Sequence, residues 1–238
     1  MAREASQTLK PRFHLTLRIE VTDLFQGTPG AVFRGSEPAD LAMLYDPAVM
    51  LVTAPTLPSP GALRHAAALA DAGVRQSKAE VSTPDGVPTA GALDRLALRD
   101  GKYAQEWVAY IERVTGLFAD LLDARVVGVR QVVSDGPHCP RFHVDQVPAR
   151  GVLNVLGACT EWLDDADVDR SRLGHAGGAD DATSGLRREG SVLGRAEHGR
   201  LAVFKGTTWP GAGESAVVHR SPPADGTRRL LLTLDWLE

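Results

Sequence analysis

The sequence predicts an α+β protein: a C-terminal barrel or jelly roll buttressed by N-terminal helices. Three observations carry this. Before Asp123 the strongest periodic segment is helical, with Trp107, Tyr110, Ile111, Val114, Phe118 and Leu121 recurring at three- and four-residue steps. After Asp123 the pattern changes to short apolar runs of strand length. Those runs are punctuated by Gly- and Pro-containing turns, as in closed all-β architectures. Residues 1–124 are therefore read as a helical portion packing on the barrel, and residues 125–238 as the barrel itself, the two forming one integrated domain.

Taken in order, Phe13, Leu15, Leu17, Ile19 and Val21 alternate with polar residues and read as a strand. Residues 26–35 are Gly/Pro-punctuated loop. Residues 40–45 read as a short helix, ended at Asp46-Pro47 because the residue before proline avoids the helical region. Residues 49–53 are an apolar strand, and a proline-rich turn follows. Residues 61–72 are Ala- and Leu-rich, a helix with Gly73 as its C-terminal cap. The polar stretch 74–90 reads as loop. Residues 93–122 read as helix, split near Asp100-Gly101. Strands are expected at 125–133, around His143, and at 151–156, 191–196, 201–206, 215–220 and 228–237. The acidic, Gly-rich stretch 164–190 reads as a mobile insertion that shapes a substrate pocket.

Composition narrows the function classes. The chain has 238 residues, 43% of them hydrophobic, enough for a sizeable core. A formal net charge of −4 gives no support to a nucleic-acid partner held by bulk charge. Two cysteines, Cys139 and Cys159, make no disulfide framework, so a reducing compartment is expected. The first residues lack an apolar targeting core and no run is long enough to span a bilayer, so the expected location is cytoplasmic, without a membrane partner.

The chemistry-bearing stretch is Cys139-Pro140-Arg141-Phe142-His143-Val144-Asp145. On an extended chain residues i and i+2 share a face, so His143 and Asp145 present an imidazole and a carboxylate side by side. His219, on a later strand, completes a two-His-one-carboxylate set, the ligand type of non-haem Fe(II) oxygenases. Such an iron leaves open positions for a chelating 2-oxo acid. The far carboxylate of 2-oxoglutarate then needs a cation, and arginine's planar fork suits it. Arg228 and Arg229 are the candidates. They point to opposite faces of the terminal strand, and periodicity alone does not choose between them. Asp235 is a candidate ionised partner for either. Cys139 reads as a buried small hydrophobe. A second zinc site drawn from His138, Cys139, His143 and Cys159 lacks C-x-x-C spacing.

The C-terminal part resembles the double-stranded β-helix of the 2-oxoglutarate/Fe(II) dioxygenases. The pieces that carry the resemblance are His143-Val144-Asp145, the run Gly199-Arg200-Leu201-Ala202-Val203-Phe204-Lys205-Gly206, His219, and Arg228-Arg229-Leu230-Leu231-Leu232-Thr233. An arginine four residues before a threonine contacts the oxoglutarate tail in prolyl-hydroxylase-like members, which puts Arg229, with Thr233, ahead of Arg228. Cys139 to Asp145, Thr160-Glu161-Trp162-Leu163, Val203-Phe204-Lys205-Gly206 and His219-Arg220-Ser221-Pro222 are similar to a bacterial domain-of-unknown-function family, number 1826. Its genes are often found near metal-homeostasis GTPase genes. Relatives tend to carry a Thr-Tyr pair on the strand after H-x-D. This chain reads Val152-Leu153-Asn154-Val155 there, which leaves Asn154 as the polar candidate.

The resemblance implies an Fe(II)/2-oxoglutarate-dependent oxygenase of the hydroxylase type, acting on a small-molecule or protein substrate. His143, Asp145 and His219 would hold the metal, and Arg229, Thr233, Arg228 and Asn154 would face the co-substrate. The alternative is a non-oxidative Zn-binding accessory protein, because affinity alone favours Zn over Fe(II) at such a site. A third reading, a metal hydrolase with Glu161 as general base, ranks last.

Overall fold

Helical and strand signals interleave along the chain, and the structure folds them into a wide sheet covered by helices on one face. The structure is a computed structural model that describes residues 30–73, 76–97, 101–174, 181 and 183–237. The strand expected around Phe13 to Val21 lies outside the described residues. The elements are β1 (Ala31–Arg34), β2 (Val49–Pro55), α1 (Pro60–Asp71), β3 (Gln76–Ser82), α2 (Ala104–Leu122), β4 (Val126–Ser134), β5 (Ala149–Leu156), β6 (Glu161–Leu163), β7 (Leu193–Arg195), β8 (Arg200–Lys205), β9 (Val218–Arg220) and β10 (Arg229–Trp236). A seven-stranded sheet runs β1-β2-β8-β5-β10-β4-β3, and a three-stranded sheet runs β7-β6-β9. All pairings but β1 with β2 are antiparallel.

The first 124 residues thus supply three strands of the large sheet as well as both α-helices, and the sheet runs across the expected boundary at 124/125. Two of those strands were expected as loop. In β3 only Ala79 and Val81 are buried, because it is an edge strand with one ladder neighbour, β4. Its polar residues face water, so its alternation is weak in the sequence. The four-residue β1 sits at the opposite edge.

The helices form where the sequence puts their signals. Ser59 caps α1, its hydroxyl accepting from Ala62 N at 3.1 Å, and Pro60 follows at the first helical position. Gly73 takes φ +71 just past the end. The expected long helix 93–122 is a 3-10 turn at Asp94–Leu96 followed by α2, with the break spanning Gly101. Trp107, Ile111, Val114 and Phe118 on one stripe of α2 are fully buried. They cover the sheet face made by Val129, Gln131, Leu153, Leu232 and Leu234, where Trp107 Nε1 donates to Gln131 Oε1 at 3.0 Å. Truncating Trp107 or Phe118 to alanine is expected to cost about 3–5 kcal/mol.

Because β4, β5, β8 and β10 are antiparallel, directly opposed residues share a face. The register pairs Arg229 with Ser134, Leu231 with Asn154, Thr233 with Val152, Asp235 with Arg150, and Arg150 with Phe204. These residues therefore line the face turned away from the helices. The Phe204 ring lies 4.8 Å from the His219 ring, so this face looks toward the three-stranded sheet. No helix among the described residues is long and apolar enough to cross a membrane.

Candidate metal centre and anion pocket

His143 does not sit in a named strand. It forms an isolated antiparallel bridge with His219, exchanging both backbone hydrogen bonds at 3.0 Å. Pro140 and Pro148 flank this segment and cannot donate to a ladder, which confines regular pairing to one residue. The local geometry still turns His143 and Asp145 to the same centre. His143 Nε2 lies 3.9 Å from Asp145 Oδ1, and His219 Nε2 lies 3.3 Å from Asp145 Oδ2. One potential ligand atom from each of the three residues falls within 4.8 Å of the others, the one such group of three among the described residues.

The tautomers follow from the partners. His143 Nδ1 meets the Arg141 carbonyl at 2.9 Å, and His219 Nδ1 meets the Val217 carbonyl at 3.1 Å. A carbonyl can only accept, so each Nδ1 carries a proton, and each Nε2 is the nitrogen turned toward Asp145. Asp145 Oδ2 is buried without a hydrogen-bond partner among the described residues. Asp145 Oδ2 and His219 Nε2 face each other at 3.3 Å, an arrangement that a cation between them satisfies. Burial lowers the His143 pKa, and the neighbouring His219 adds to this, so His143 is neutral and ready to ligate. Burial pushes the Asp145 carboxyl up, but His219, Arg150 and His143 outweigh it and hold it below its ordinary value. The three residues fit a divalent metal with imidazole and carboxylate preference.

A second set of unpartnered atoms lies on the same sheet face. Arg229 is 3% exposed and has no ion-pair partner among the described residues. Its Nε donates to the Ala158 carbonyl at 2.6 Å and one Nη2 proton reaches Asn154 Oδ1 at 3.4 Å. Among the described residues its Nη1 has no hydrogen-bond partner, and neither have the buried Thr233 Oγ1, Ser134 Oγ and Asn154 Nδ2. Burial lowers the pKa of Arg229, though a guanidinium stays charged. A buried cation beside unpaired donors is costly alone and is matched by a carboxylate.

Of the expected co-substrate residues, Arg229 and Asn154 are in contact, Thr233 shares their sheet face, and Arg228 lies apart from them. Arg228 is exposed and turned the other way, donating to Asp135 and to the Ala70 carbonyl at the end of α1. Asp235 pairs with neither expected arginine. It accepts from Arg150 Nε at 2.6 Å and from Arg130 Nη2 at 3.3 Å. Glu161 is 2% exposed and locked between Arg195 (3.1 Å) and Arg220 (3.0 Å). It alternates with Trp162, the residue paired with His219, so it faces away from the centre and is no general base there. Cys139 is exposed rather than buried. The described parts of 164–190 are pinned. Asp181 accepts from Phe142 N and Arg220, and Arg170 bridges Asp165 and the Ala216 carbonyl.

Sequence reasoning missed Arg150, whose Nη1 donates to Asp145 Oδ1 at 2.6 Å. Its signal was a lone charge at the start of the apolar run Ala149-Arg150-Gly151-Val152-Leu153-Asn154. It also missed Ser134 and Gly206. Gly206 carries the segment of Asp145 across its backbone: a Cβ there would sit 2.0 Å from the Val147 carbonyl oxygen and 2.8 Å from that of Asp145.

The chain belongs to the family described as "Protein of unknown function (DUF1826)", whose model matches residues 35–235. Comparison with curated proteins gives no match. Among solved structures the chain is similar to a rice dioxygenase for auxin oxidation, with 14% identity and a TM-score of 0.54 over 88% of this chain and 83% of that one. It is also similar to dioxygenase for auxin oxidation 1 from Arabidopsis thaliana, solved as a 2-oxoglutarate complex, with 10% identity and a TM-score of 0.50 over 88% and 92%. The shared feature is the fold.

Proposed function

We propose that this chain is an Fe(II)- and 2-oxoglutarate-dependent oxygenase. One observation carries the reading: two sets of buried, unpartnered polar atoms, one suited to a divalent metal and one to a carboxylate, border the same sheet face. Fe(II) held by His143, Asp145 and His219 would supply the oxidising chemistry with dioxygen as the oxidant: 2-oxoglutarate would go to succinate and carbon dioxide, one oxygen atom entering succinate and the other the hydroxylated substrate. The protein's own contribution is preorganised binding. His143 and His219 offer Nε2, their rings oriented by the Arg141 and Val217 carbonyls. Asp145 offers Oδ2. Arg229 Nη1 and the Thr233 and Ser134 hydroxyls donate to the distal carboxylate, while Asn154 and the Ala158 carbonyl hold the guanidinium in place. Phe204, its ring tilted at 53° against His219 and 4.8 Å from it, covers that side of the centre with apolar surface.

A Zn carrier would use the same three ligands but gives the buried, unpaired Arg229 no role. Binding of 2-oxo acids to the anaerobic Fe(II)-loaded protein separates the two. 2-Oxoglutarate is expected to bind at least about tenfold tighter than 2-oxobutyrate, which lacks the distal carboxylate, since a charge-assisted hydrogen bond contributes about 1.5–3 kcal/mol. Equal affinities, or no binding of either, would remove the oxygenase reading.

A further inference from the structure

Four charged side chains form a line across three strands and end on a ligand of the proposed metal. Arg130 on β4 donates to Asp235 Oδ2 at 3.3 Å. Asp235 on β10 accepts from Arg150 Nε at 2.6 Å through its other oxygen. Arg150 on β5 turns its Nη1 onto Asp145 Oδ1, again at 2.6 Å. Asp145 and Arg150 are well shielded, their side chains 9% and 21% exposed. Arg150 therefore spans two carboxylates with two different nitrogens, which a lysine's single ammonium cannot do. Burial works against its charge, but Asp235 and Asp145 outweigh that and hold it charged.

We propose that Arg150, braced by Asp235, is a positioning residue that reserves Asp145 Oδ1 and so restricts Asp145 to one-oxygen ligation through Oδ2. The inference rests on the metal reading above and deepens it. A carboxylate free to rotate can chelate a metal with both oxygens and fill a position that a chelating 2-oxo acid needs. With Oδ1 held at 2.6 Å by a guanidinium, only Oδ2 remains, and it is the oxygen that lies beside His219 Nε2. The line also sets the local charge. Two arginines and two aspartates cancel formally. A divalent metal there keeps its full charge toward a dianionic co-substrate.

The test is anaerobic Co(II) titration followed by ligand-field absorption, comparing the wild-type protein with Arg150→Met and Asp235→Asn. In Arg150→Met, Co(II) binding is expected to weaken about 10–100-fold, the usual cost of losing an outer partner of a ligand. At saturation its spectrum is expected to differ from wild type, because Asp145 Oδ1 becomes available to the metal. Asp235→Asn keeps the Arg150–Asp145 contact but removes the brace, so it should shift affinity and spectrum the same way by less. It carries the test if Arg150→Met does not fold. Wild-type spectra and affinities in the variants would overturn the clamp while leaving the metal site intact. Failure of the wild-type protein to bind Co(II) would overturn the clamp and the metal reading together.

Discussion

His143 and His219 exchange both of their backbone hydrogen bonds at 3.0 Å and hold their rings 4.5 Å apart. The two imidazoles are thus brought together by main chain, and neither side chain is needed for the pairing. Replacing either ring should remove a ligand while leaving the bridge. His143→Ala is expected to melt within a few degrees of wild type when both are metal-free. Wild type should gain about 2.7 kcal/mol at a Co(II) concentration 100 times its dissociation constant. His143→Ala, His219→Ala and Asp145→Ala should lose that gain. Anaerobic thermal melts with and without Co(II) check it, and equal stabilisation of all four proteins would place the metal elsewhere.

Gly206 controls the other approach to the centre. Its N–H donates to the Pro148 carbonyl and the next N–H, of Thr207, donates to the Asp145 carbonyl, both at 2.9 Å. A methyl group there meets backbone oxygen, which cannot rotate away. Gly206→Ala is therefore expected to cost about 1–3 kcal/mol, as overpacking does. It should also weaken metal binding, because the strain relaxes through the Asp145 segment. Urea melts and Co(II) titration read the two effects. Wild-type values in both would mean that the segment yields freely.

Lys205 offers a pH-dependent stability effect away from the metal. It is 2% exposed, donates to the Asp46 carbonyl at 2.9 Å and lies over the Trp209 ring. Burial lowers its pKa from 10.5 to about 8. The folded state therefore disfavours the charged form. That cost is fully present below pH 8, where both states are protonated. Between about 8 and 10.5 the unfolded chain binds more protons, so stability rises with pH across that window. The rise is on the order of 3 kcal/mol at 1.36 kcal/mol per pH unit. In Lys205→Met that component should vanish, which urea midpoints of the two proteins at pH 7.5 and 10.5, values that bracket the window, will show. Parallel pH profiles would contradict it.

Much of this arrangement could be read from the residues. The α2 stripe and the strands around Val129, Leu153, Val203 and Leu232 follow from local periodicity, and the pairing of His143 with Asp145 from i, i+2 geometry, while His219 joins them only through the ligand set that such a pair calls for. Arg229 was preferred over Arg228 on resemblance, and ladder register separates their surroundings: Arg229 opposes Ser134 and reaches Asn154, while Arg228 turns to Asp135. Edge strand β3 escaped because one-sided pairing leaves it largely polar, and β1 because its four residues are too short for an alternation to register. Arg150 and Gly206 escaped, and Asp235 is paired with Arg150 and Arg130 rather than with Arg228 or Arg229, because these roles exist only between segments distant in sequence. The partner of Asp235 is 85 residues away, and no local pattern encodes that pairing.

The central claim joins the two unpartnered sets into one binding site, and the visible charge-transfer band of an Fe(II)–2-oxoglutarate chelate tests it most directly. The wild-type protein, loaded anaerobically with Fe(II), should develop the band on adding 2-oxoglutarate. His143→Ala should show none. Arg229→Met should melt within a few degrees of wild type without metal, since it removes a buried unpaired charge along with two hydrogen bonds. It should need at least about tenfold more 2-oxoglutarate to reach half the band. Absence of the band in wild type, with tight Zn(II) binding that still requires His143, Asp145 and His219, would contradict the oxygenase account.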